Sequence, residues 1–436
     1  MRRQTLILVV GMVVTLAAGC GDDDETTGMT ETPDVPDEVT PEPDVADVAD
    51  PPDVSAPEDV GDEDTASGDT AGQAADEPDA GDNTTGPDTI AGQCFPDKLD
   101  GTGELPGPEY DEYNPIVGEH CKGTNHQAIT GIQQVVFLGD SVTVGTPNLE
   151  HLLNVDNEHF WRNKLADWLA LEFDLDKGDP LVSWGFWKTY DYFTGKGGKL
   201  DSGVFRNCSK WGARTDDLAG QIEECLRGGA SDQVTLFVFT MGGNDIAKIN
   251  QTGFEAGPEE VAAGYPAVWA LAQKAITFLE AAVVHLRSAD NFPNGSFVVM
   301  ANPFEFTDGS GTVSACTPQT VLDIPGIGEL DLSTLDIAVA ELAGYGPWEN
   351  PEIQTEIVVW LLEEYMRIAV DYQVDLVWML EHFCGHGFVA TGADADVDNR
   401  CYIGEAAPLW FDDTCTHPNE AGHQAIFELF KDVISE

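Results

Sequence analysis

The sequence predicts an α/β fold, with about five parallel strands in one sheet, helices on both faces and long loop insertions. Two observations predict it. Short apolar runs of strand length alternate five times with longer segments of helical periodicity. Polar loops containing glycine then follow the strands, at the end where open α/β sheets gather their sites.

The first run, Val135-Val136-Phe137-Leu138, ends abruptly in Gly139-Asp140-Ser141 and sets a hydroxyl at the carboxyl end of a buried strand. Ser141 is therefore a candidate nucleophile. Gly-Asp-Ser is also ordinary turn chemistry, and Ser141 could equally be a helix N-cap, so its weight rests on partners farther along the chain. A helical pattern over His159–Phe173 leads to a second strand at Val204–Asn207. The next loop carries Gly212 and feeds a helix over Thr215–Leu226, with Thr215 as its expected cap.

The third strand, Val234–Thr240, runs into Met241-Gly242-Gly243-Asn244-Asp245. There the glycines permit close backbone approach and Asn244 brings an amide donor. Glu259–Arg287 reads as a helix that Pro266 kinks or divides. A fourth strand at Ser296–Ala301, a helix at Pro351–Val370, a fifth strand at Val374–Leu380 and a last helix at Asn419–Ile434 complete the alternation. Pro351 suits a first helical turn, and Asn419 suits a cap. The insertions 304–350 and 382–412 leave from the site end and are expected to wall or cover a pocket.

The amino terminus reads as an export signal over residues 1–19. Arg2 and Arg3 precede an apolar run, Leu6 to Ala18, too short to span a bilayer comfortably. Leu16-Ala17-Ala18-Gly19-Cys20 resembles a bacterial lipobox, which implies acylation of Cys20 and a membrane-anchored protein of the cell envelope, facing the periplasm or the cell surface. Its leucine stands one place earlier than usual. From Gly21 to Gln93 there is no Lys, Arg or aromatic residue, and 24 acidic residues repel one another. Residues 20–93 are therefore expected to be a lipidated cysteine and a solvated tether.

The expected domain, residues 94–436, holds 54 acidic residues against 18 Lys and Arg. That balance excludes nucleic acid as a partner. With Cys20 assigned to lipid, eight cysteines remain, an even set that reads as disulfides in an exported chain. Cys401 and Cys415 are expected to pair, since both lie in the stretch leading to the last histidines. A zinc site at Cys384 with His382 and His386 is disfavoured by its spacing.

Near the end stands Asp412-Asp413-Thr414-Cys415-Thr416-His417-Pro418-Asn419. The ordered set Gly139-Asp140-Ser141, Gly212, Gly242-Gly243-Asn244-Asp245 and Asp413 to His417-Pro418-Asn419 resembles the GDSL/SGNH hydrolases, from about Val135 onward. The resemblance implies a flavodoxin-like three-layer α/β/α sandwich and a cofactor-free serine ester hydrolase, acting on lipid or carbohydrate acyl esters through an acyl-enzyme. It implies Ser141 as nucleophile and His417 as general base. The oxyanion hole would be the backbone amides of Ser141 and Gly212 with the Asn244 side chain.

The family places its aspartate three residues before the histidine, where this chain has Thr414. Asp413 is expected to support His417, with Asp412 or a backbone carbonyl as alternatives. His423 fits helix packing better than catalysis. A catalytically silent binding protein and an acyltransferase stay open as other uses of the same residues.

Asp394, Asp396, Asp398 and Glu405 copy the spacing of an EF-hand calcium loop, with Asn399 where a glycine is usual. Calcium there competes with a plain acidic surface loop.

Overall fold

The computed structural model describes residues 89–96, 107–145, 158–178, 190–191, 196–197, 201–309, 316, 321–324, 328–331, 348–391, 395, 397–399, 401–412 and 414–436. The signal, Cys20 and the tether to residue 88 lie outside the described residues. The first apolar run becomes β1 (Gln134–Gly139), buried along its whole length. Around it stand β2 (Asp201–Ser202), β3 (Phe205–Asn207), β4 (Thr235–Thr240), β5 (Ser296–Ala301) and β6 (Asp375–Val377).

The sheet order is β6-β5-β4-β1-β3-β2. Every neighbouring pair is parallel except β2 with β3. The expected five parallel strands are present, and β2 adds an antiparallel edge strand too short to carry an alternation of its own. Without β2 the order across the sheet is second, first, third, fourth, fifth, the flavodoxin-like winding whose reversal lies between β1 and β4. Gly139 pairs with Thr240, so those two strands end side by side.

The helices are α1 (Ile90–Cys94), α2 (Ser141–Val144), α3 (Trp161–Glu172), α4 (Leu218–Leu226), α5 (Gly243–Phe254), α6 (Pro258–Ala262), α7 (Pro266–Arg287), α8 (Pro351–Asp371), α9 (Met379–Phe383) and α10 (Glu420–Ser435). Alternation along β1 divides the core in two. Val135 and Phe137 pack with Trp161 and Leu165 of α3 and Phe430 of α10. Val136 and Leu138 pack with Leu279 and Val283 of α7 and Tyr365 of α8. Successive strand residues face opposite sides, so one buried strand needs helices on both.

Several elements differ from expectation for local reasons. Pro266 divides the Glu259–Arg287 segment, one of the two outcomes expected of it, and begins α7 after Tyr265, which is left-handed at φ 59°; the departures lie elsewhere. The fifth strand stops at Val377, where Trp378 turns the chain into α9 and Asn302 Oδ1 accepts the Leu380 amide at 3.1 Å. Thr215 opens a 3-10 turn, Thr215–Asp217, and is not its cap. Helix α5 has no counterpart in the expected elements because two glycines and Asn244-Asp245 look like a loop; of its sparse apolar positions, Ile249 is buried and Ile246 partly so. Packing also starts before Cys94, for Ile90 joins the core and Thr89 caps α1.

The eight cysteines form Cys94–Cys121, Cys208–Cys225, Cys316–Cys415 and Cys384–Cys401. The expected Cys401–Cys415 pair is therefore wrong. Cys401 is drawn instead to Cys384, at a Cα separation of 4.9 Å, by a turn that one buried carboxylate gathers. Asp308, 2% exposed, accepts the amides of Gly385 (3.0 Å), Gly387 (3.1 Å) and Ala390 (2.9 Å). Its own carbonyl accepts from Asn399 Nδ2 at 3.2 Å. Asp308 thus joins the two insertions, together with the Phe388 amide on Phe306 O at 3.3 Å.

Asp308→Ala strands those amides without acceptors. Each buried unpaired donor costs about 1–3 kcal/mol, so chemical denaturation should register a loss of about 3 kcal/mol or more. An unchanged midpoint would contradict this account of the loop.

Candidate active site

The Ser141 turn is built by refusing any side chain at its start. Gly139 has φ 123°, and a Cβ there would lie 2.3 Å from the Thr240 carbonyl oxygen. Asp140 follows in extended geometry and is the true N-cap of α2, its Oδ1 accepting the Val142 amide at 3.0 Å. Ser141 is then the first residue of α2, so its amide has no acceptor inside the helix. Asp140 Oδ1 also accepts the Thr240 hydroxyl at 3.1 Å, while the Asp140 amide donates to Thr240 O at 3.2 Å. Burial pushes the Asp140 carboxyl up to about 7.

Three side chains hold the far end of this turn. Trp161 Nε1 donates to Val142 O at 2.7 Å, Arg162 Nε to Thr143 O at 3.1 Å, and Trp211 Nε1 to Gly145 O at 3.1 Å. They occupy carbonyls that so short a helix leaves open.

The loop after β3 and the first turn of α5 stand beside Ser141 because β3 and β4 flank β1. Lys210 N donates to Gly139 O at 3.0 Å, and Gly212 turns with φ 71°. Asn244 Nδ2 donates to Ala213 O at 2.9 Å, which uses one of its two amide hydrogens. Asp245 accepts both the amide (3.0 Å) and the hydroxyl (2.9 Å) of Thr215, clamping α5 to that loop. Burial raises its carboxyl to about 6, against the opposing pull of the two Thr215 bonds. Gly242 is obligatory, for at φ 110° a Cβ would fall 2.2 Å from the Tyr365 hydroxyl, which donates to Met241 O at 2.8 Å.

The last loop brings His417 to Ser141. Asp412 N donates to His417 O (2.9 Å), Cys415 N donates to Asp412 O (3.0 Å), and the Cys316–Cys415 bridge ties the loop to the first insertion. His417 Nε2 lies 2.8 Å from Ser141 Oγ. On the other side, Nδ1 is 2.8 Å from Thr414 Oγ1 and 3.3 Å from Thr416 Oγ1. Thr414 Oγ1 in turn donates to Asp412 Oδ1 at 2.5 Å. Asp413 lies outside the described residues. Sequence reasoning saw Thr414 only as the residue displacing the family's aspartate, and a hydroxyl gives no signal that separates a relay from a turn.

The remaining candidates are engaged elsewhere or only partly described. His423 is 1% exposed in α10 and packs on the rings of His159 and Phe160. Cys384 is in a disulfide, the His382 ring meets Cys121 O at 2.8 Å, and the His386 ring meets Pro408 O at 2.8 Å. Of the calcium spacing, Asp394 and Asp396 lie outside the described residues, whereas Asp398 and Glu405 are exposed. Asn399 does not take the left-handed turn such a loop needs, and its side chain binds Cys401 N and Asp308 O.

A hydroxyl against an imidazole, beside a helix-first amide, a glycine loop and an amide side chain, suits acyl transfer chemistry. The family model described as GDSL-like lipase/acylhydrolase matches residues 135–430. The chain belongs to this family. Membership in the GDSL-like lipases and acylhydrolases supports hydrolase activity on esters. No curated protein matches the chain. Among solved structures, a phospholipase A1 from Streptomyces albidoflavus NA297 is 15% identical, with a TM-score of 0.37, over 69% of this chain and 99% of that one. An extracellular lipase from Streptomyces rimosus is 16% identical, with a TM-score of 0.34, over the same two shares.

Desolvation lowers the His417 pKa to about 4. A base acts when deprotonated, so a lowered pKa extends activity toward acid. The acid limb of kcat/KM for this GDSL-family protein should therefore have its midpoint near 4, where an ordinary histidine would give about 6.5. A pH series on a soluble ester checks this, and a midpoint near 6.5 would contradict it.

Proposed function

We propose that this chain is a serine ester hydrolase in which Ser141 is the nucleophile and His417 the general base. The 2.8 Å contact between Ser141 Oγ and His417 Nε2 carries the reading. Ser141 Oγ bonds to the acyl carbon as its proton passes to Nε2, and the carbonyl electron pair moves onto oxygen. The amides of Ser141 and Gly212 and the second hydrogen of Asn244 Nδ2 meet that oxygen, where charge develops. Collapse breaks the bond to the alcohol oxygen, which takes the proton from Nε2. Water then repeats the sequence on the acyl-enzyme and frees the acid.

Family membership suggests a lipid or other acyl ester as the substrate class, and apolar side chains of the two insertions are in keeping with it. Val142, Phe304, Phe388, Leu409 and Trp410 are partly buried apolar side chains packed in one cluster with Phe411 of the His417 loop. They suit an acyl chain or another apolar group, as in a lipid or acylated carbohydrate. Anchored by an acylated Cys20 and spaced by its acidic tether, the domain would act on esters of the cell envelope.

A fluorophosphonate probe should label the wild-type protein at Ser141 and leave Ser141→Ala unlabelled. A wild-type protein that does not react would favour a silent binding protein. Asn244→Ala should lower kcat by about 10²–10³, as expected for losing one oxyanion donor, and an unchanged turnover would remove Asn244 from that role. Cys20→Ser should move the protein from the membrane fraction to the soluble fraction, and continued membrane association would remove the lipid anchor.

A further inference from the structure

We infer that Thr414 is a positioning residue that links His417 to Asp412, so that the supporting carboxylate acts through one intervening hydroxyl. The inference rests on Ser141 and His417 as nucleophile and base.

The direction of each hydrogen bond follows from what each group can give. Asp412 is 8% exposed, and as a carboxylate it has no proton to donate. Its Oδ1 accepts both the Thr414 amide at 2.8 Å and the Thr414 hydroxyl at 2.5 Å. The one hydroxyl proton of Thr414 is thereby spent. What Thr414 Oγ1 presents to His417 Nδ1 at 2.8 Å is a lone pair, so Nδ1 carries the ring proton. Nε2 is left unprotonated toward Ser141 Oγ, which is the tautomer that can take the serine proton.

When that proton arrives on Nε2, the Nδ1 hydrogen stays with Thr414 Oγ1 and the Asp412 charge lies one residue behind it. No proton moves on this side of the ring. Asp412 is held for the task by its own loop, through its amide on His417 O and its carbonyl on Cys415 N. Thr416 Oγ1 is a weaker candidate partner for Nδ1 at 3.3 Å. The competing account is that Asp412 and Thr414 form a local turn without consequence for the histidine.

The test compares Thr414→Val, Thr414→Ser, Thr416→Val, Asp412→Asn and Asp413→Asn by kcat and KM on a nitrophenyl ester, each checked for an unchanged melting temperature. Thr414→Val keeps the shape and removes the hydroxyl. It should lower kcat by about 10²-fold, less than the roughly 10⁴-fold of losing a directly bonded triad carboxylate, with KM within about threefold. Thr414→Ser should recover kcat to within about threefold of wild type, and Asp412→Asn should lose more activity than Asp413→Asn. The inference is overturned if Thr414→Val keeps wild-type kcat, if Thr416→Val loses more than Thr414→Val, or if Asp413→Asn loses more than Asp412→Asn. If Thr414→Val unfolds, the Thr414→Ser and Asp412→Asn comparison decides in the same way. Wild-type labelling by a fluorophosphonate separates the two levels: labelled wild type with an indifferent Thr414→Val removes the relay alone, and unlabelled wild type removes the hydrolase reading beneath it.

Discussion

The position of the site is set by the buried contact between Asp140 and Thr240, where two adjacent parallel strands stop at the same level. The contact is double, for the Asp140 backbone donates to Thr240 O and the Asp140 carboxyl accepts the Thr240 hydroxyl. It joins the Ser141 turn on β1 to the donor loop on β4. Thr143 Oγ1, 2.8 Å from Thr240 Oγ1, extends the contact into α2. A carboxyl held there is costly to ionise, as its raised pKa records. That cost is tolerable because its cap bond and its threonine bond together define where Ser141 begins its helix.

Much of this was legible in the sequence, and the limits were local. β1 and β4 could be read because apolar residues buried on both faces fill their centres, Val135 to Leu138 and Leu236 to Phe239, as uninterrupted runs. Ser141, Gly212, Asn244 and His417 could be singled out because they stand in loops after strands or before helices, in the order that the family resemblance implies. β2 could not be read, since two residues cannot display a period. The disulfide pairing failed for a different reason. Cys384 and Cys401 meet because Asp308, 76 positions before Cys384, collects the turn between them, and such a carboxylate looks like any other acid in a chain with 78 of them. The support behind His417 was hidden likewise, because two adjacent acids and two threonines offer several arrangements that only geometry can separate.

The electrostatics of the site run against those of the chain as a whole. The chain carries a formal charge of −58, yet at the site two buried carboxyls, Asp140 and Asp245, are both pushed upward and the histidine is pushed toward neutrality. Desolvation is the first cause in each case. Burial thus disfavours charge on all three groups within a strongly acidic chain.

The Cys316–Cys415 bridge closes a span of 99 residues, and one of its ends lies two positions before His417. The loop bearing the imidazole is held by its own hydrogen bonds, and the bridge adds a covalent tie that forms only after two thiols far apart in the chain have been oxidised. A newly made polypeptide in a reducing compartment would lack this covalent tie between the first insertion and the loop that carries His417. If the chain is exported, as we propose, this bridge would form only on arrival in an oxidising space.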